Sequence, residues 1–131
     1  MKVLALDLGD AWIGTALSDP LKIIATPYTT IKTENLFSFL TDLFTKESID
    51  TIVIGYPRTM RGKESQQTQK ILLQKETIQE KFPDKKYILW DERLSSKHAK
   101  NIQRSHSKTD STKEHAIAAA LILETYLQFL T

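Results

Sequence analysis

Two short runs in this sequence end a hydrophobic strand pattern on a carboxylate. Val3-Leu4-Ala5-Leu6 stops at Asp7, and Tyr87-Ile88-Leu89-Trp90 stops at Asp91-Glu92. If both runs are parallel strands of one sheet, their carboxylates reach the same carboxyl edge, where open α/β sheets place ligands. Close carboxylates repel unless a proton or cation sits between them. Mg²⁺ suits oxygen ligands, and such ions activate water and stabilise a leaving oxygen in phosphodiester cleavage. Gly9 and Gly14 frame the turn after Asp7. Gly9 permits a positive φ, and absent side chains leave room for a phosphate near the backbone. Arg58, Arg61 and Lys63 lie in a predicted loop after another apolar run and could hold phosphates.

Charge is unevenly divided. Residues 1–50 carry 4 basic and 7 acidic side chains, net −3, whereas residues 51–131 carry 14 and 9, net +5. From Arg93 to Thr109 there are five basic residues (Arg93, Lys97, Lys100, Arg104, Lys108) and no acid, a stretch able to meet a phosphate backbone. His98, His106 and His115 lack metal-binding spacing and read singly as surface or packing residues. Trp90 reads as core. Trp12 could stack a base, although burial against a hairpin is the ordinary expectation for it. A nucleotide-binding P-loop is excluded: six residues separate Gly55 from Gly62, and Lys63 is followed by Glu64 rather than Ser or Thr.

The elements that must position these groups follow from periodicity. Strands are predicted over 2–7, 12–18, 23–31, 51–55 and 87–90, the last two reading as buried. Pro27 argues for an edge or a bulge. Helices are predicted over 35–47, with Thr33 or Glu34 at the start, and over 64–82, 95–104 and 113–130, with a polar stretch at 105–112. An antiparallel start followed by βαβ units predicts an α/β fold with a mixed five-stranded sheet, strands 1–3 antiparallel and strands 1, 4 and 5 parallel, flanked by helices. At 131 residues the chain is expected to form one domain spanning 1–131. It has no cysteine, so thiolate sites and disulfides are excluded. No apolar run approaches the ~20 residues of a membrane span, and Met1–Asp7 reaches a carboxylate too early for a signal peptide. A cytoplasmic protein without membrane partners is expected.

Taken in order, the Asp7–Asp19 segment, Ile52-Val53-Ile54-Gly55-Tyr56-Pro57 followed by Met60 and Gly62, Trp90-Asp91-Glu92-Arg93-Leu94-Ser95-Ser96, and Ala116–Leu123 with Tyr126-Leu127 resemble the YqgF family of Holliday-junction-resolvase-like or pre-16S ribosomal RNA nucleases. The resemblance covers essentially the whole chain. It implies an RNase H-like nuclease domain and Mg²⁺- or Mn²⁺-dependent endonucleolytic hydrolysis of phosphodiester bonds. It further implies structured RNA or branched nucleic acid as partner, with the pre-ribosome as a further candidate, and a role at the 5′ end of 16S ribosomal RNA. Asp7 matches the first-strand carboxylate, Asp91 and Glu92 the later acidic pair, with Glu92 the closer metal ligand, and Arg93 the basic residue that follows. The implied catalytic set is Asp7, Asp91, Glu92 and residue 115. The metal ligands would come from Asp7, Glu92 and either Glu114 or His115. Gly9, Arg58, Arg61, Arg93, Lys97 and Arg104 would face nucleic acid. The chain departs from the family pattern at two points. His115, with Glu114 beside it, stands where an aspartate is expected, and Ala11-Trp12 stands where a basic pair is usual. Those departures leave a second expectation: a non-catalytic nucleic-acid or ribosome-assembly binding module with a decayed metal site.

Overall fold

The computed structural model describes residues 1–56, 66–91 and 111–130. In chain order these form β1 (Lys2–Asp7), β2 (Trp12–Ser18), β3 (Ala25–Lys32), a 3₁₀ turn (Thr33–Asn35), α1 (Leu36–Lys46), β4 (Ile49–Tyr56), α2 (Gln66–Lys81), β5 (Lys86–Asp91) and α3 (Ser111–Leu130). The sheet runs β3-β2-β1-β4-β5. β1 and β3 each pair antiparallel with β2, while β4 lies parallel to both β1 and β5. This is the mixed sheet predicted from the order of elements. The helix predicted over 95–104 lies outside the described residues.

β1 is central because both of its faces are apolar. Leu4 and Leu6 join a cluster with Ile13, Leu17, Ile52 and Ile54 under α1 and α2, which contribute Leu36, Leu40, Leu43, Ile71 and Ile78. Val3 and Ala5 join Ala16 and Val53 on the other face, under Ala119, Ile122, Leu123 and Tyr126 of α3. Alternation along each strand therefore assigns every side chain to one of two layers.

Four expectations need correction. The strand predicted from residue 23 begins at Ala25, because the amides of Ile23 and Ile24 both donate to Asp19 Oδ1 at 2.7 Å instead of entering a ladder. Those two bonds hold the Asp19 carboxyl below the usual carboxylate range. β5 is half-buried throughout apart from exposed Lys86, rather than fully buried, because it is a sheet edge among the described residues. Trp90 is likewise half-buried, beside Tyr126 and Phe129. Trp12 is not buried against the hairpin but 36% exposed. The proline expectation holds: β3 is the opposite edge, and the β2–β3 register shifts between Thr15 and Ala16, where Pro27 pairs with Ala16.

The ends of the layers are fastened by polar groups. The Tyr87 hydroxyl donates to the Phe82 carbonyl at 2.6 Å just past the end of α2. Burial pushes that hydroxyl up to about 12, with the nearby Asp84 charge adding to the shift. On the other face Lys22, the one described non-glycine residue at positive φ, pairs with Asp50 at 3.0 Å.

Candidate active site

Asp7 ends β1 and follows the parity of Val3 and Ala5, so it belongs to the α3 face, where it is half-buried. Its cross-strand partner on β2 is Gly14. A Cβ built on Gly14 would overlap the His115 carbonyl and lie 2.9 Å from the Ala116 nitrogen. The first part of α3 thus rests backbone to backbone on the residue directly opposite Asp7. His115 stands four residues before Ala119 and eight before Leu123, on the stripe that α3 turns toward the sheet, and is half-buried. Glu114 is exposed, one helical step of ~100° away. Asp7 and position 115 are therefore brought together from opposite parts of the sequence.

Asp91 reaches the same edge, paired with Tyr56 at the end of β4. The two carboxylate strands are parallel but not neighbours, since β4 lies between them. Two strand spacings amount to about 10 Å. Asp91 also shares the parity of Tyr87 and Leu89, which pack on the α1–α2 face, opposite to that of Asp7. Glu92, Arg58, Arg61, Lys63, Arg93, Lys97, Lys100 and Arg104 lie outside the described residues.

Both glycines of the first turn serve the protein's own backbone. A Cβ on Gly9 would lie 2.5 Å from the Trp12 carbonyl oxygen, and its φ is not in the left-handed region. The expected positive φ is thus replaced by a close approach, and the space at Gly14 is filled by α3. Thr33 locks this turn: its hydroxyl donates to the Gly9 carbonyl at 2.9 Å and its amide to the Ala11 carbonyl at 3.1 Å.

Lys32 and Lys70 were not picked out by sequence pattern. Lys32 ends β3 opposite Trp12. Lys70, on the first turns of α2, lies 3.5 Å from Asp10 in the β1–β2 turn, with both side chains largely exposed. Single lysines in a strand and a polar helix face give no local signal; only the sheet order brings them to this edge. Among the described residues no group of three His, Asp or Glu side chains could hold a metal ion. The described residues alone therefore do not make up a cation site. Among the same residues no helix is long and apolar enough to cross a membrane.

The family model described as "RuvX: Holliday junction resolvase" matches residues 1–129. A protein of Rubrobacter xylanophilus named "Putative pre-16S rRNA nuclease" is 31% identical over 128 residues, covering 97% of this chain and 92% of its own. One of the same name from Caldicellulosiruptor saccharolyticus is 35% identical over 139 residues, covering 99% of each. Among solved structures, RuvC of Thermus thermophilus bound to a Holliday junction substrate superposes with a TM-score of 0.63 at 12% identity, covering 98% of this chain and 96% of that one. Fowlpox virus resolvase with Holliday junction DNA gives 0.52 at 14% identity, covering 99% of both chains. These likenesses establish the RNase H-like resolvase fold.

Proposed function

This chain belongs to the RuvX family of Holliday junction resolvases, and from that premise we propose that it is a cytoplasmic, divalent-metal-dependent endonuclease acting through one domain spanning residues 1–131. Its substrate on this reading is structured nucleic acid, above all the precursor at the 5′ end of 16S ribosomal RNA, as the names of its relatives suggest. One observation supports the reading: the backbone of α3 at position 115 packs on Gly14, the cross-strand partner of Asp7.

Asp7 supplies a fixed negative charge at the sheet edge, held in register by its ladder with Gly14. Glu92 is its partner carboxylate in this proposal, because the parity of Asp91 assigns that residue to the other face. Residue 115 completes the set, with Glu114, on the exposed side, as the lesser candidate. When bound by these groups, Mg²⁺ or Mn²⁺ would neutralise charge at the scissile phosphate and acidify a water. Arg58, Arg61, Arg93, Lys97 and Arg104 position the phosphate backbone, and Gly9 shapes the turn beneath it.

The test is cleavage of a 16S precursor fragment with Mg²⁺ or Mn²⁺. Asp7→Asn should fold normally and cut at least about 100-fold more slowly, the scale of removing one preorganised electrostatic group. Undiminished cleavage by purified Asp7→Asn protein overturns the assignment. A second reading, a binding module with a decayed metal site, is favoured by the imidazole at 115, since Mg²⁺ prefers oxygen ligands. If the parent binds RNA without cutting it and His115→Asp acquires Mg²⁺-dependent cleavage, that second reading holds.

A further inference from the structure

The two tryptophans of this chain are in opposite situations. Trp90 is half-buried and engaged by α3. Its ring meets Tyr126 edge-on at 5.4 Å and Phe129 at 5.3 Å, and its Nε1 donates to Thr125 Oγ1 at 2.8 Å. Trp12 is 36% exposed, and among the described residues no aromatic ring, cation or hydrogen-bond partner engages its indole. The exposed part of the indole leaves apolar surface in water that a stacked ring would cover.

Its place in the sheet is defined. Ile13 and Leu17 of β2 face α1 and α2, so Trp12 shares the α3 face with Gly14 and Ala16. Asp7 is on that face too. α3 rests on Gly14, two residues further into the strand, so Trp12 lies toward the carboxyl edge beyond the line of that contact. Cross-strand partners share a face, which brings Lys32 alongside it. The backbone beneath the indole is rigid. Gly9 closes on the Trp12 carbonyl, and Thr33 clamps the carbonyls of Gly9 and Ala11.

We propose that Trp12 is a stacking platform for an unpaired nucleobase beside the scissile phosphate, with Lys32 meeting the adjoining backbone. This rests on the nuclease reading and sharpens its substrate class. In a continuous duplex each base is covered above and below by its neighbours, so a protein ring can stack only where a nucleotide is unpaired or displaced. Trp12 thereby selects nucleic acid with an unpaired nucleotide at the cleavage point over uninterrupted duplex. An arginine or lysine in the same place would grip phosphate without that distinction.

The experiment uses full-length Asp7→Asn protein to prevent cleavage, with Trp90→Phe so that Trp12 alone fluoresces. One RNA probe is a stem with a single-stranded 5′ tail; the other is the same stem, blunt and fully paired. The tailed RNA should quench Trp12 emission. In the same Asp7→Asn background, Trp12→Ala should weaken binding of the tailed RNA roughly tenfold, leave blunt-stem binding unchanged, and be largely rescued by Trp12→Phe. Equal weakening on both RNAs, no weakening on either, or emission unchanged at saturation overturns the platform while leaving the nuclease reading standing. Failure to bind either RNA overturns both.

Discussion

The two faces of the sheet are built from side chains of different size, and the difference decides where chemistry can be placed. Under α1 and α2 the strands present Leu4, Leu6, Ile13, Leu17, Ile52 and Ile54, met by Leu40, Leu43 and Ile78. Under α3 they present Val3, Ala5, Gly14, Ala16 and Val53, met by Ala116, Ala119 and Ala120 on the first half of the helix and by Ile122, Leu123 and Tyr126 further along. Large aliphatic side chains keep helix and sheet at arm's length, and their rotamers absorb small errors. Small residues let the α3 backbone settle on β2 with nothing between to adjust. That face fixes the position of residue 115 relative to Asp7.

That division can be broken most forcefully from the bulky side. Leu40→Ala removes a fully buried side chain of α1 and should cost about 2–5 kcal/mol of stability. RNA binding and cleavage per folded molecule should stay at the parent level, as compared by urea unfolding and by assay well below the transition. A parallel loss of activity would mean that both faces govern the site.

Gly14→Ala should be milder in stability and harsher in function. The added methyl meets backbone rather than a flexible side-chain tip, so α3 must shift, at about 1–3 kcal/mol. Cleavage should then fall well below that of Leu40→Ala at matched folded fraction, reversing the order of the two variants. Activity that merely tracks stability would refute the distinction.

The smallest effect is electrostatic. Asp50 is pushed up by desolvation, but hydrogen bonding and charge from Lys22 outweigh this and leave its carboxyl below the usual range. A carboxyl with a lowered folded pKa stabilises the fold above its unfolded value, about 3.9, and that contribution disappears as pH falls through the lower folded value. The pair is about one-third exposed, so screening makes it modest. Between pH 6 and 3 the urea midpoint of the parent should fall slightly further than that of Asp50→Asn. Identical pH profiles would leave the α3 face with no ionic fastening there.

Much of this was legible in the residues. The apolar runs at 2–7, 12–18 and 51–55 read as strands, and a hairpin followed by βαβ units determines the sheet order. Asp7 stands out because a second strand pattern, Tyr87–Trp90, also closes on carboxylates. What escaped depends on distant neighbours. Tyr87–Trp90 reads like a central strand, since an edge is defined by what does not pair beyond it. Ile23 and Ile24 have strand propensity, but the Asp19 carboxylate takes their amides first. Gly14 reads as a turn glycine until α3 is seen lying on it. Asp91 could be separated from Asp7 only once the face of each strand was known. Trp12 reads as buried against the hairpin because its type is apolar, and its place beyond the α3 contact at Gly14 leaves it partly exposed.

The meeting of Gly14 with α3 also has a kinetic side. The β1–β2 and β2–β3 hairpins close over a few residues, whereas His115 must return across nearly the full sequence to reach β2. Pairings of wide separation carry the larger closure entropy and belong to the slow part of folding. During synthesis Asp7 is therefore in place well before residue 115 can join it. On the nuclease reading, the two groups of the site meet only when that last, long-range contact forms.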